Sequence, residues 1–248
     1  MQFKLEICID SVESGVNAQM AGADRVELCS NLIEGGTTAG FGTIVSARNN
    51  LDIPLNVIIR PRGSDFLYSD QEYDIMRRDI EVSGEAGVDG IVIGILKSDG
   101  SVDVERTSRL IELARPMKVT FHRAFDMCAD PQKALYDIIS AGADRLLTSG
   151  QRNTAYEGID LLETLVRRAG DRIIIMPGGG INESNISPIA RISHAKEFHL
   201  TGRSVIDSEM SFRKQGITMS GISGINEYSK KIADMQKIRN IIEILKLI

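Results

Sequence analysis

Two segments of the chain repeat one pattern, Glu6-Ile7-Cys8 and Glu27-Leu28-Cys29, and each places a carboxylate two residues before a thiol. If both lie on strands, residues two apart share a face, so carboxylate and thiol point the same way. On neighbouring strands about 4.8 Å apart the two sulfurs come to similar depth, which suits a soft monovalent ion such as Cu(I). A closed tetrahedral zinc site would want four ligands at fixed spacing, and that spacing is absent. The alternative is that Cys8 and Cys29 only pack, as free cysteines often do. Cys128 follows Asp126 and Met127 and reads as a loop or helix-start thiol.

A second set of groups could act on an organic or anionic ligand. His122, in Thr120-Phe121-His122-Arg123-Ala124-Phe125-Asp126, is the first choice for a general acid or base, with Glu27, Asp126 or His199 as the partner that sets its tautomer. The bland alternative for Asp126 is a turn or cap. Arg60 opens the long segment Arg60-Pro61-Arg62-Gly63-Ser64-Asp65-Phe66-Leu67-Tyr68-Ser69, which could fold over a site while Arg60 grips a carboxylate or phosphate. Small residues recur in Pro177-Gly178-Gly179-Gly180 and Thr201-Gly202-Arg203-Ser204. They suggest a phosphate cradle in which Gly178, Gly179, Gly180, Gly202 and Ser204 supply N–H groups and Arg203 supplies charge. The glycines could equally serve only the turns. His194 reads as a helix cap or surface residue.

These groups need elements to hold them. Short apolar runs recur at 5–9, 25–30, 55–60, 90–96, 118–124, 145–149, 172–176 and 197–201, and a helical pattern follows nearly every one. Asp10 or Ser11, Asp130 before Pro131, and Asn182 look like helix N-caps. Ala21-Gly22-Ala23-Asp24-Arg25, Ala86-Gly87-Val88-Asp89-Gly90 and Ala141-Gly142-Ala143-Asp144-Arg145 form an internal repeat that closes a helix with Gly and enters a strand. Eight strand-helix units predict an α/β fold, a single (β/α)8 barrel over residues 1–248, with an open doubly wound sheet as runner-up. After Gly202 an irregular stretch leads to a closing amphipathic helix carrying Ile232, Met235, Ile238, Ile242 and Leu245.

Strand alternation turns Glu6, Cys8, Asp10, Glu27, Cys29, Asn56, Arg60, Thr120 and His122 into the barrel. Ionisable groups there need partners, so Glu6, Glu27, Arg60 and His122 are expected to pair with one another at the rim above an apolar floor. A structural ion-pair network is the alternative to a ligand site.

Composition sets the outer limits. The 248 residues are 42% hydrophobic and 25% charged, an ordinary globular balance. A net charge of −5 argues against nucleic acid or anionic lipid as partner. No apolar run approaches the ~18 residues of a membrane helix, and three cysteines fit a reducing compartment, read as the cytosol.

The motifs resemble those of the CutC family. The resemblance runs through the segments around Asp10-Ser11, Gly22 to Ser30, Glu34-Gly35-Gly36-Thr37, Ile59 to Gly63, Asp65 to Ser69, Thr120 to Asp126, Leu147 to Gly150 and Met176 to Ile181, within residues 1 to about 213. It implies a cytoplasmic TIM-barrel protein, a homodimer or higher homo-oligomer, associated with copper homeostasis or Cu(I) binding. The family's copper-associated cysteine pair corresponds to Cys8 and Cys29. The competing expectation is an enzyme for a small phosphorylated or carboxylated metabolite, with His122 as acid or base and Arg60 as anion clamp. The expected partners are therefore a copper ion or a small anionic ligand.

Overall fold

The computed structural model describes residues 3–219 and 226–248. Its strands are β1 (Lys4–Ile9), β2 (Arg25–Leu28), β3 (Leu55–Ile58), β4 (Gly90–Ile93), β5 (Lys118–Phe121), β6 (Arg145–Thr148), β7 (Ile174–Pro177) and β8 (Glu197–Leu200). All neighbouring pairs are parallel, in the order β7-β6-β5-β4-β3-β2-β1-β8. A parallel bridge between Gly178 and His199 closes the ring. The fold is a TIM barrel, as the strand-helix alternation predicts.

Several strands stop two or three residues short of their apolar runs, because the chain then begins to splay into the mouth loops. Ile59 and His122 still donate to the neighbouring carbonyls of Val92 and Ile93. Helices α1 (Val12–Ala21), α2 (Phe41–Asn50), α3 (Asp70–Glu85), α4 (Val104–Ala114), α5 (Pro131–Ala141), α6 (Ile159–Ala169) and α7 (Ile186–Ser193) cover the outside. Ser11 and Asp130 cap α1 and α5 as expected. Asn182 does not start α7: its side chain accepts the Ser184 N–H, and the helix begins after Asn185. His194 ends α7 in the left-handed region.

The internal repeat has a mechanical purpose. Gly22 and Gly142 end α1 and α5 with positive φ, where a Cβ would be strained. The aspartate two residues later then accepts the first free N–H of the preceding odd strand: Asp24 from Leu5 at 2.8 Å, Asp89 from Leu55 at 2.8 Å and Asp144 from Val119 at 2.9 Å. Each repeat thereby ties two consecutive barrel strands at the N-terminal face.

That face is charged inside, which overturns the expected apolar floor. Arg25 donates to Glu6, and to Glu197 at 2.8 Å; Arg145 donates to Glu197 at 2.7 Å; Asn56 donates to Glu6 at 2.8 Å. Burial alone would push the Glu6 carboxyl up, but Arg25 and His199 outweigh it and hold it well below the usual carboxylate range. Gly90 makes room for this layer, since a Cβ there would lie 2.4 Å from Asn56 Oδ1. Every carboxylate of the floor has a cation beside it, which is what allows it to stay buried and ionised.

Beyond Gly202 the chain is less irregular than its sequence reads. β9 (Arg203–Asp207) and β10 (Ser229–Ala233) pair antiparallel before α8 (Met235–Lys246). Ile232 therefore belongs to a strand, opposite Ser204, and not to the closing helix. Asp234 starts that helix by accepting the Gln236 and Lys237 N–H groups. Among the described residues, no helix is long and apolar enough to cross a membrane.

Candidate functional site

The C-terminal ends of β1, β2 and β8 bring together the groups flagged by the Glu-x-Cys repeat. Cys8 Sγ lies 3.5 Å from Cys29 Sγ, and both thiols are buried. Glu6 spans the floor and the mouth: one carboxylate oxygen faces Arg25 and Asn56, and the other lies 2.8 Å from His199 Nδ1. His199 Nε2 is in turn 3.3 Å from Glu27 Oε2. One ligand atom from each of Cys8, Glu27 and His199 lies within 4.8 Å of the others. Three side chains able to hold a metal ion thus converge, and Cys29 joins them through Cys8.

The electrostatics of this cluster favour one thiolate. The Cys29 S–H donated to Cys8, together with His199, outweighs burial and pulls the Cys8 thiol below its ordinary value. The same contact and burial push Cys29 up. Burial pushes the Glu27 carboxyl well up, and the nearby Cys8 charge adds to that. Burial would lower His199, but Glu27, Cys8 and Glu6 hold it well above the usual imidazole range. Cationic imidazole and Cys8 thiolate are therefore mutually supported.

Glu6, Glu27, Arg60 and His122 do not pair with one another as expected. Glu6 is taken by Arg25, Asn56 and His199, and Glu27 by His199. Arg60 donates to the carbonyls of Glu34 at 2.8 Å, Gly36 at 2.7 Å and Ser64 at 2.8 Å, so it clasps the two loops that wall the mouth. These bonds take both Nη1 hydrogens and one Nη2 hydrogen, and Nε has no partner among the described residues.

His122 is set by the backbone. The Ala124 N–H donates to His122 Nδ1 at 3.1 Å, so the ring proton sits on Nε2; neither Glu27, Asp126 nor His199 sets this tautomer. Burial and then the Arg60 charge hold the imidazole down at about 3, so it is neutral at physiological pH and its lone pair is engaged. Asp126 is a loop organiser here. It accepts from Thr148 Oγ1, from the Ser149 and Gln151 N–H groups and from Arg123, which fixes the β6 loop. Cys128, next to that loop, is buried, and burial and Asp126 push its thiol up to about 11.

The sequence reading passed over Arg25, Arg145 and Glu197 and gave His199 only a helper's role. The alternation rule could have found all four, since Arg25 precedes Glu27 by two residues and His199 follows Glu197 by two.

The CutC family model matches residues 3–204. The chain belongs to the CutC family. A copper homeostasis protein cutC homolog of Homo sapiens is 47% identical over 244 residues, covering 98% of this chain and 89% of that protein. A family protein CutC of Chromobacterium violaceum is 49% identical over 241 residues, covering 97% of each. The crystal structure of CutC from Streptococcus agalactiae superimposes with a TM-score of 0.77 at 35% identity, over 81% of this chain and 99% of that one. Phosphoribosylanthranilate isomerase from Pyrococcus furiosus, at 14% identity and a TM-score of 0.61, shares the fold alone.

Within this CutC barrel several groups of the expected phosphate cradle make internal contacts. Arg203 pairs with Asp10 at 3.0 Å, Ser204 donates to Asp234 at 2.6 Å, and the Gly178 N–H donates to Thr148. The Gly202 carbonyl accepts the Asp234 N–H. Gly179 and Gly180 do turn with positive φ, but the cation beside Gly179 is Arg123, not Arg203.

One glycine of the mouth is needed by His122 itself. A Cβ on Gly94 would sit 2.5 Å from His122 Cε1 and Nδ1 and 2.8 Å from Ala124 Cβ. Gly94→Ala is expected to displace the ring and cost about 1–3 kcal/mol of stability. A urea titration in which the midpoint falls at unchanged slope would register it.

Proposed function

We propose that this CutC chain binds Cu(I) at the barrel mouth, as cargo held by the thiolates of Cys8 and Cys29 with His199 beside them. The observation that carries the reading is the 3.5 Å approach of two buried sulfurs. Soft sulfur donors select Cu(I), and the surrounding cluster already favours one of them as thiolate. Glu6 on His199 Nδ1 supplies the outer hydrogen bond that orients a ligating imidazole. The names of the human and Streptococcus agalactiae relatives support a role in copper homeostasis. Three free, buried thiols suit the reducing cytosol. Exposed Val205, Met210 and Phe212 around the β9–β10 arm suit self-association into a homo-oligomer.

The test is a Cu(I) competition titration under anaerobic conditions. The wild type is expected to bind Cu(I), and a Cys8→Ser, Cys29→Ser double variant to bind more than about 100-fold more weakly, beyond the loss from removing an outer partner alone. Unchanged stoichiometry and affinity in the double variant would overturn the reading. A parallel Zn(II) titration that proves tighter, and depends on Glu27, would move the site to a harder ion.

A further inference from the structure

The mouth holds a second, separate demand for a ligand. Of its side-chain nitrogens, Arg60 Nε and His122 Nε2 are buried and have no hydrogen-bond partner among the described residues. Both are donors, because the guanidinium is always protonated and the Ala124 N–H fixes the His122 proton on Nε2. Both side chains line one cavity of about 280 Å³, close to the size of small-ligand sites. They also flank one ring, with Phe66 5.0 Å from the Arg60 guanidinium carbon and 5.0 Å from the His122 ring centre.

Arg60 is 5% exposed, and its bonded partners are neutral carbonyls. No carboxylate among the described residues lies within ion-pair distance of it. A buried cation without a counter-charge is costly, so an anion entering here gains attraction in a site of low dielectric. The charge of that anion is limited by what else lines the cavity. Glu27, Glu34, Asp126 and Cys8 are there, and the other cations are already engaged, Arg123 by Asp126 and His199 by Glu6 and Glu27. A dianion would meet these carboxyls with one uncompensated charge to offset them. Ile58, Phe66, Met127 and Leu147 form the apolar remainder of the wall.

We propose that this cavity binds a small organic monocarboxylate, whose carboxylate accepts from Arg60 Nε–H and His122 Nε2–H while its apolar body lies against Ile58, Phe66 and Leu147. The site goes beyond copper: it uses neither sulfur, although Cys8 and His199 line the same cavity and a bound carboxylate would lie beside them. His122 acts here as a neutral donor, not as the acid or base its position in the sequence suggests.

The experiment is calorimetry with benzoate and butanoate on chelator-treated, copper-free protein, together with the ¹H–¹⁵N signal of the His122 Nε2–H. Saturable benzoate binding is expected, with a shift of that imidazole signal, and at least about ten-fold weaker binding in His122→Asn and in Arg60→Lys. Benzamide, of the same shape without the charge, and inorganic phosphate are expected to bind more weakly than benzoate. Equal affinity for benzamide, preference for phosphate, unchanged affinity in both variants, or no saturable binding by the folded wild type would each overturn the proposal. If Arg60→Lys fails to fold because the loop clasp is lost, the His122 signal in the wild type still decides. Because no copper is present, failure of the Cu(I) reading leaves this result standing, and the reverse also holds.

Discussion

Arg25→Ala is expected to destabilise the protein by about 3–5 kcal/mol, the cost of breaking a buried ion pair from one side. Arg25 is the cation that serves two carboxylates, Glu6 and Glu197. Glu197 keeps Arg145 when Arg25 is lost, whereas Glu6, with a fully buried side chain, keeps only Asn56 and His199. Most of the penalty therefore falls on Glu6. Urea unfolding would measure it, and Arg25→Met separates charge from volume, since Met fills the space without the guanidinium. If the penalty is the orphaned carboxylate, Glu6→Gln should cost far less in the Arg25→Met background than in the wild type. A strictly additive double-mutant cycle would assign the effect to packing instead. The same variants probe the mouth, because Glu6 also contacts His199 and a change on the floor reaches the Cys8, Glu27 and His199 cluster through a single side chain.

The barrel was legible because its signal is local. Each unit declares itself by a short apolar run and a helical period, and the Gly-x-Asp closures punctuate the helix ends. The site was half legible for the same reason. Alternation along β1 and β2 correctly turned Glu6, Cys8, Glu27 and Cys29 inward, but it states only which face a side chain occupies, not its height on the barrel axis. Height is set by the stagger between strands, and it is height that gives Glu6 to Arg25 and His199 while leaving Arg60 with the loop carbonyls. The β9–β10 pair was hidden because its strands are joined across residues 208–228 and neither carries a clear alternation of its own. The setting of His122 was hidden for a subtler reason: a backbone N–H two residues on donates to its Nδ1, a contact made by the local turn and not by strand alternation.

Its burial also makes His122 a pH sensor of stability. In the folded protein burial, and secondly the Arg60 charge, hold the imidazole at about 3, against an unfolded value near 6.5. Between these values the unfolded chain binds a proton that the folded chain refuses, so stability is fully present above about pH 6.5 and falls as the pH drops toward 3. The limiting slope for one proton is about 1.4 kcal/mol per pH unit, which integrates to roughly 2 kcal/mol between pH 6.5, where the unfolded imidazole is half protonated, and pH 4.5. Glu27, whose carboxyl is pushed up, has the opposite sign over the upper part of this range, because its folded form takes up a proton before the unfolded chain does. The measurement must therefore be a difference. Unfolding free energies of the wild type and of His122→Asn, which can still accept from the Ala124 N–H but does not titrate, are expected to converge as the pH falls from 6.5 and to hold a constant gap above it. Parallel curves across pH 4.5 to 7.5 would mean that His122 protonates in the folded state, and the neutral donor assigned to the cavity would go with it.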